Sequence, residues 1–351
     1  MNRRCWVRWR DSFSDNWKSK IQNLKWAGFI AIAIAFAMCG AVAHAQQTGK
    51  VFRIGFLDPS IAAGSAGLVE AFRQELRKLG WIEGKNITIE YRFAEQKNER
   101  LLELAADLVR LKVDVIVSAS TTSALAVKSA TTTIPVVIVN VSDPMGVGLV
   151  ASLARPGGNV TGLASLAPEL NTKRLEILKD AVSKLARVGI LRLSGGGTGQ
   201  DLQMKELGPA ALALKLKLEE IETQSDPKGL ESAFKTAKQK QVGAIMTTAN
   251  RLFFAERKRI VELAGKYRLP AIYPGKEFVD EGGFMSYGVD ATDLYRRAAG
   301  YVDKILKGAK PADLPVQQAT KFEFVINLKA AKQIGLTIPA RVLERANTVI
   351  K

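Results

Sequence analysis

A chain of 351 residues with 47% hydrophobic and 24% charged residues has room for about two packed domains, and this composition excludes a disordered or fibrous polymer. The formal net charge is +17, which raises nucleic acid as a partner. Against that, the basic residues are spread along helix faces among acids, as in Glu256-Arg257-Lys258-Arg259-Ile260-Val261-Glu262, and no basic run is interleaved with aromatics. This is the pattern of a solvated or membrane-proximal surface.

The first 45 residues differ from the rest. Seven Lys and Arg, from Arg3 to Lys25, precede an apolar run over 26–42, and Ala43-His44-Ala45 closes it. A basic region, an apolar core and an A-x-A ending form the secretory pattern, with cleavage expected after Ala45. The alternative is an uncleaved anchor, because the run approaches the roughly 17–25 residues that span a bilayer. Met38 before Cys39 argues against a lipoprotein signal, where a small residue is wanted.

Cleavage changes the chemistry available. Cys5, Cys39 and His44, the only cysteines and histidine, all lie in the leader, and the remainder keeps a net +12. A mature chain without Cys or His excludes disulfides, thiol nucleophiles, Ser-His pairs and zinc sites built on these residues. It also lacks the commonest acid–base group at neutral pH, which favours a binding protein over an enzyme.

The mature chain alternates β and α patterns. Residues 51–57 read as a strand ending at Asp58-Pro59-Ser60, 68–79 as a helix with Phe72, Leu76 and Leu79 on one face, and 86–91 as an alternating strand. A helix over 101–111 leads to a strand over 113–117, which runs into the hydroxyl cluster 118–123 and a helix over 124–130. The apolar run 134–141, rich in Val and Ile, reads as a strand buried on both faces and stops at Ser142-Asp143-Pro144. A small-residue helix is expected over 148–154, broken by Pro156-Gly157-Gly158-Asn159, and 160–163 then runs extended into a second domain, with Gly162 at a candidate hinge. Regular β-α-β alternation implies a parallel sheet with right-handed crossovers.

Beyond Gly162 the pattern begins again. Helices are expected over 172–185, 202–214, 230–240 and 254–267, and strands over 187–193, 216–221, 242–246 and 269–273. The run 242–246 echoes 113–117 and ends in the polar cluster Thr247-Thr248-Ala249-Asn250, and 269–273 matches 134–138. A short strand over 283–287, a helix over 290–306, an extended crossing over 314–328 and a helix over 328–334 complete the chain.

Strand ends carry the candidate ligand contacts, since open α/β sheets bind ligands there. Ser118, Ser120, Thr121 and Thr122 follow a strand and open a helix, where hydroxyls and free N–H groups receive an anion; the structural alternative is ordinary capping. Asp143 suits a ligand ammonium or, alternatively, caps the next turn. Asp58, Pro59, Ser142, Thr248 and Asn250 stand at equivalent strand ends. Tyr273 and Tyr287 end strands of the second half, placed to stack on a ligand or to pack within the domain. The Gly195–Gly199 stretch lacks the G-x-x-x-x-G-K-[ST] string and reads as a flexible rim, and no motif indicates a cofactor or metal. Arg251-Leu252-Phe253-Phe254 offers more apolar wall or, as the preferred reading, packs in the core, and Trp81 reads as structural.

Several stretches carry a family resemblance: RIGFLDPS, GWIEGKNITIEYRFAEQ, VDVIVSASTTSALAVKSAT, IPVVIVNVSDPMGVGLVASLARPGGNVTGLAS and FEFVINLKAAKQIGLTIPARVLERA. They resemble the substrate-binding proteins of ABC importers, in the subgroup with tryptophan- and tyrosine-binding members; the ARPGGNVTG turn is the most specific piece, and the likeness spans 52–350. The resemblance implies an α/β, type I periplasmic-binding-protein fold: two Rossmann-like lobes with parallel sheets, joined by a hinge of three crossovers. Lobe 1 is expected over 46–163, completed by about 289–310, and lobe 2 over 164–288, completed by about 311–351. A Ser-Gly loop at 194–199 departs from the family, where Asn and Pro are frequent. The function expected is binding of a small ligand, an amino acid or analogue, by a periplasmic monomer. The ligand then passes to an ABC permease and its ATPase, the chain meeting the membrane only through the permease. The alternatives are a sensor subunit on the same fold, or an enzyme built on carboxylates such as Asp58 and Asp143.

Overall fold

The computed structural model describes residues 50–195, 198–224 and 226–351. The leader, with its expected signal and cleavage point, and Gly196 and Gly197 lie outside the described residues.

In chain order the strands are β1 (Phe52–Asp58), β2 (Ile87–Phe93), β3 (Val115–Ser118), β4 (Val136–Val141), β5 (Val160–Ala164), β6 (Arg187–Leu193), β7 (Lys217–Thr223), β8 (Ala244–Thr247), β9 (Ala271–Tyr273), β10 (Met285–Val289), β11 (Gln317–Gln318), β12 (Phe322–Asn327) and β13 (Thr348–Ile350). The α-helices are α1 (Ala62–Lys78), α2 (Leu101–Arg110), α3 (Thr121–Ala130), α4 (Ala167–Ala181), α5 (Thr198–Lys205), α6 (Leu207–Ala213), α7 (Pro227–Gln239), α8 (Arg251–Ala255), α9 (Arg257–Lys266), α10 (Glu277–Asp280), α11 (Ala291–Leu306), α12 (Leu328–Gln333) and α13 (Ala340–Leu343).

Two open sheets result. The first runs β11-β5-β4-β3-β1-β2 with every pair parallel. The second runs β13-β12-β10-β9-β8-β6-β7, parallel except where β10 meets β12. The central strands β1, β3 and β4 are buried on both faces because helices cover both: α1 and α11 on one side, where Phe56, Phe72 and Tyr295 meet, and α2 and α3 on the other, around Leu108, Ile116 and Val127. The second sheet is covered in the same way by α4, α6 and α12 on one face and α7 and α9 on the other. Each lobe therefore has its own core.

The chain crosses between the lobes three times: at 165–166, at 290 and at 319–321. The crossings are tied together, with Ala319 N donating to Ala164 O at 2.9 Å and Asp290 N donating to Lys321 O at 3.0 Å. The last crossing falls later than the sequence suggested. Residues 311–318 were expected with lobe 2, but β11 pairs with β5, and Val316 packs into the first lobe's core. Gly162 is required by close packing: its φ is +132°, and a Cβ there would lie 2.2 Å from Ile138 O on β4.

Local expectations differ at three places. Residues 148–154 form turns, not a helix, because Leu149 N and Val150 N both close on Pro144 O and Gly148 takes a φ of +70°. The helix expected over 202–214 is two, α5 and α6, since Pro209 has no N–H to return to the Lys205 carbonyl. The helix expected over 254–267 is likewise α8 followed by α9, parted at Glu256.

Candidate functional site

The C-terminal strand ends of the two sheets face each other across a cleft of about 60 Å³. Pro59, Ser120, Thr121, Thr122, Asn140 and Ser142 line it from the first lobe. Gln200, Gln203, Asn250, Arg251 and Phe254 line it from the second.

On the first lobe, α3 opens directly onto the cleft. Ser120 caps it in a reciprocal box: Ser123 N donates to Ser120 Oγ, and Ser120 N donates to Ser123 Oγ, both at 3.1 Å. Thr122 Oγ1 lies 3.0 Å from Ser120 Oγ, and Thr121 Oγ1 accepts from Ser142 N at 3.2 Å, which knits the ends of β3 and β4 together. The hydroxyl cluster is thus both a cap and a cleft wall. Ser118 is corrected to a supporting role: it is fully buried, 2.7 Å from Ser123 Oγ, and does not line the cleft. Asn140 was not anticipated. It holds a φ of +59° inside β4, where the register against β5 shifts between Ile138 and Val141. Asn tolerates this left-handed conformation, and the resulting bulge presents Asn140 to the cleft.

On the second lobe, α5 is held by carboxamides. Gln200 exchanges two hydrogen bonds with the Leu193 backbone, at 3.0 and 2.9 Å, and Gln203 does the same with Ala249, at 3.0 and 2.9 Å. Gln203 Nε2 also reaches Ser142 Oγ on the first lobe at 3.4 Å. Asn250 caps α8 by accepting from Leu252 N at 2.8 Å. Thr248 is fully buried, with its hydroxyl directed to Leu191 O at 3.4 Å, so it is not a cleft residue.

Asp58 and Arg251 close the cleft. Asp58 is fully buried and accepts from Ser60 N at 2.8 Å, from Ser65 Oγ at 2.7 Å and, across the lobes, from Arg251 Nη2 at 2.9 Å. Burial disfavours the Arg251 cation, but the facing Asp58 carboxylate, together with Tyr295 and Glu277, more than offsets this and holds the guanidinium above its ordinary range. Asp58 is therefore the carboxylate that binds the two lobes to each other. The lobes stand closed.

Asp143 does not join this cleft. It accepts from Gly146 N at 2.8 Å and lines a separate opening of about 550 Å³ with Glu169, Lys205 and Glu206, which shares only Ser142 with the cleft. The aromatic expectations are corrected as well. Tyr273 is fully buried and stacked on Phe278 at 4.7 Å, because β9 is an interior strand of the second sheet. Tyr287 packs between Phe322 and Phe324 of β12.

Adjoining the cleft lies a smaller chamber of about 30 Å³, which shares Asn140, Ser165, Ala249 and Phe254 with it. Arg174, Pro274 and Glu277 line its inner wall. Arg174 is 1% exposed, donates from Nε to Tyr287 O at 2.6 Å and from Nη1 to Asn171 Oδ1, and burial lowers its pKa to about 9. Burial raises the Glu277 pKa, opposed by its own backbone N–H and by the Arg251 charge. A sequence signal for Arg174 did exist: it falls on the apolar stripe of α4 with Leu170, Leu178 and Ala181.

A profile of the ABC transporter substrate binding protein family matches residues 58–350. The chain belongs to that family. It is 26% identical over 280 residues to a tyrosine-binding protein of Clostridioides difficile, covering 79% of this chain and 78% of the relative. Among solved structures, a conserved domain protein of Vibrio cholerae superposes with a TM-score of 0.79 at 28% identity, covering 86% of this chain and all of that one. A Streptococcus pneumoniae ABC domain in complex with L-Trp superposes with a TM-score of 0.76 at 27% identity, covering 85% of this chain and all of that one. The two open, mostly parallel sheets are the type I periplasmic-binding-protein fold. Family membership makes the chain a binding protein and not an enzyme. Among the described residues no three His, Cys, Asp or Glu side chains gather to hold a metal, and no helix is long and apolar enough to cross a membrane.

Proposed function

We propose that the chain is the extracytoplasmic receptor of an importer, exported by its leader, and that it works as a monomer. It binds an amino acid with an apolar or aromatic side chain between its lobes and hands it to a membrane permease driven by an ATPase. The observation that carries this reading is the closed inter-lobe cleft, lined from both lobes by hydroxyl and carboxamide groups with Phe254 as an apolar wall. A ligand that touches both walls binds the closed state better than the open one and so shifts the population toward closure. The tyrosine-binding relative and the L-Trp complex support the ligand class.

A thermal-shift screen of the mature protein against amino acids, sugars, nucleosides and simple carboxylates tests the reading. At 100 times its Kd, the ligand adds about 2.7 kcal/mol of stability. Tyrosine or tryptophan should lead the panel. A response to sugars alone would overturn the ligand class.

A further inference from the structure

We propose that the inner chamber reads the two charges of a zwitterionic ligand, with the Arg174 guanidinium taking its carboxylate and the Glu277 carboxylate taking its ammonium. This rests on the amino-acid reading above and names the groups that carry it. It replaces Asp143, which stands at a different opening, as the partner of the ammonium.

Arg174 is the first observation. It is 1% exposed, and the hydrogen bonds it makes go to neutral acceptors, the Tyr287 carbonyl and the Asn171 carboxamide. Among the described residues no carboxylate pairs with it. A guanidinium presents five donors in a planar fork that fits a carboxylate with two parallel hydrogen bonds. A buried cation without a counter-ion is costly unless something supplies the charge. In Arg251, the other buried arginine of the cleft, Asp58 supplies it from within the protein. Arg174 has no such partner and lines a cavity instead.

Glu277 is the second. It lines the same chamber from the start of α10, and among the described residues no Lys or Arg forms an ion pair with it. Arg174 and Glu277 line this chamber together, and among the described residues no ion pair joins them. The chamber thus offers a cation without a counter-ion and a carboxylate that feels the Arg251 and Lys276 charges without an ion pair to either, and it opens into the larger cleft through Asn140 and Phe254. An α-amino acid carries opposite charges one carbon apart and projects its side chain away from both. With its backbone in the chamber, its side chain extends past Phe254 into the cleft.

Calorimetry on the unaltered protein separates the two charges without any mutation. The probes are L-tryptophan, L-tyrosine, L-tryptophanamide, which lacks the carboxylate, and indole-3-propionate, which lacks the ammonium. Each single-charge analogue should bind roughly tenfold to a hundredfold more weakly than L-tryptophan, the range of a charge-assisted hydrogen bond. Arg174→Met should weaken L-tryptophan by a similar factor while leaving tryptophanamide as the parent binds it. Glu277→Gln should do the converse, sparing indole-3-propionate. A residue that only supports the fold would weaken acid and amide alike, and that result overturns the assignment. Equal binding of L-tryptophan and its amide by the parent overturns it even if neither variant folds, and leaves the amino-acid reading standing. Binding of uncharged ligands only sinks that reading and this assignment together.

Discussion

Asp58→Asn targets the inter-lobe bridge: Asp58 does not line the cleft, so it acts on a ligand only through closure and through its partner Arg251, which does line it. The substitution keeps the side chain's shape and its acceptor for Ser60 N, but leaves Arg251, 8% exposed, facing a neutral amide. Arg251 Nε already has no partner among the described residues, and Nη2 keeps only the neutral Ser65 hydroxyl at 2.7 Å, so no carboxylate pairs with the cation when the lobes are shut. Removing one member of a buried ion pair costs about 3–5 kcal/mol. Opening the cleft returns both groups to water, so the penalty falls on closure and much less on the fold of either lobe. At the lower end, about 3 kcal/mol on a closure-coupled equilibrium weakens ligand binding by roughly a hundredfold. Calorimetry reads that loss, and small-angle scattering should show a larger radius of gyration for the unliganded variant than for the parent. Adding Arg251→Met to Asp58→Asn removes the stranded cation and should return part of the closed population. An affinity within threefold of the parent, with an unchanged radius, would refute the role given to this bridge.

Two further outcomes follow from the packing. Gly162→Ala places a Cβ 2.2 Å from Ile138 O at a φ of +132°, so β4 and β5 must part, and thermal unfolding should show a loss of about 3 kcal/mol or more. Tyr273→Phe removes a buried hydroxyl that has no hydrogen-bond partner among the described residues, so stability should hold or rise by up to about 1 kcal/mol and ligand affinity should not move; a tenfold loss of affinity would return Tyr273 to the binding site.

The two-lobe architecture was legible because it rests on periodicity. Apolar runs such as 134–141 bury on both faces only in a parallel sheet covered by helices, and the repeat of that pattern after Gly162 is the second lobe. The hydroxyl cluster at Ser120–Thr122 was legible for a related reason: a strand end that starts a helix has a fixed place in an open α/β sheet. The third crossing was harder, since β11 is only two residues long and its membership of the first sheet depends on pairing with β5, a long-range fact.

Charge was the property that the sequence concealed. An arginine on an apolar helical stripe, or after a polar strand end, looks the same in a list of residues whether its counter-ion is an aspartate on the other lobe or is missing. Arg251 and Arg174 are both buried at this cleft, and only the fold separates them: one is neutralised by Asp58 when the lobes meet, the other meets neutral acceptors and empty space. The same contrast displaces Asp143. Its position after β4 made it the obvious acid, yet the turn it closes through Gly146 directs it to the other opening, while Glu277, preceded by an unremarkable Pro274-Gly275-Lys276, reaches the chamber from α10. In a receptor that closes on its ligand, the groups whose charges remain unmatched in the closed lobes are the ones the ligand must satisfy. Strand-end position alone is therefore a weaker guide to specificity than the balance of buried charge across the two lobes.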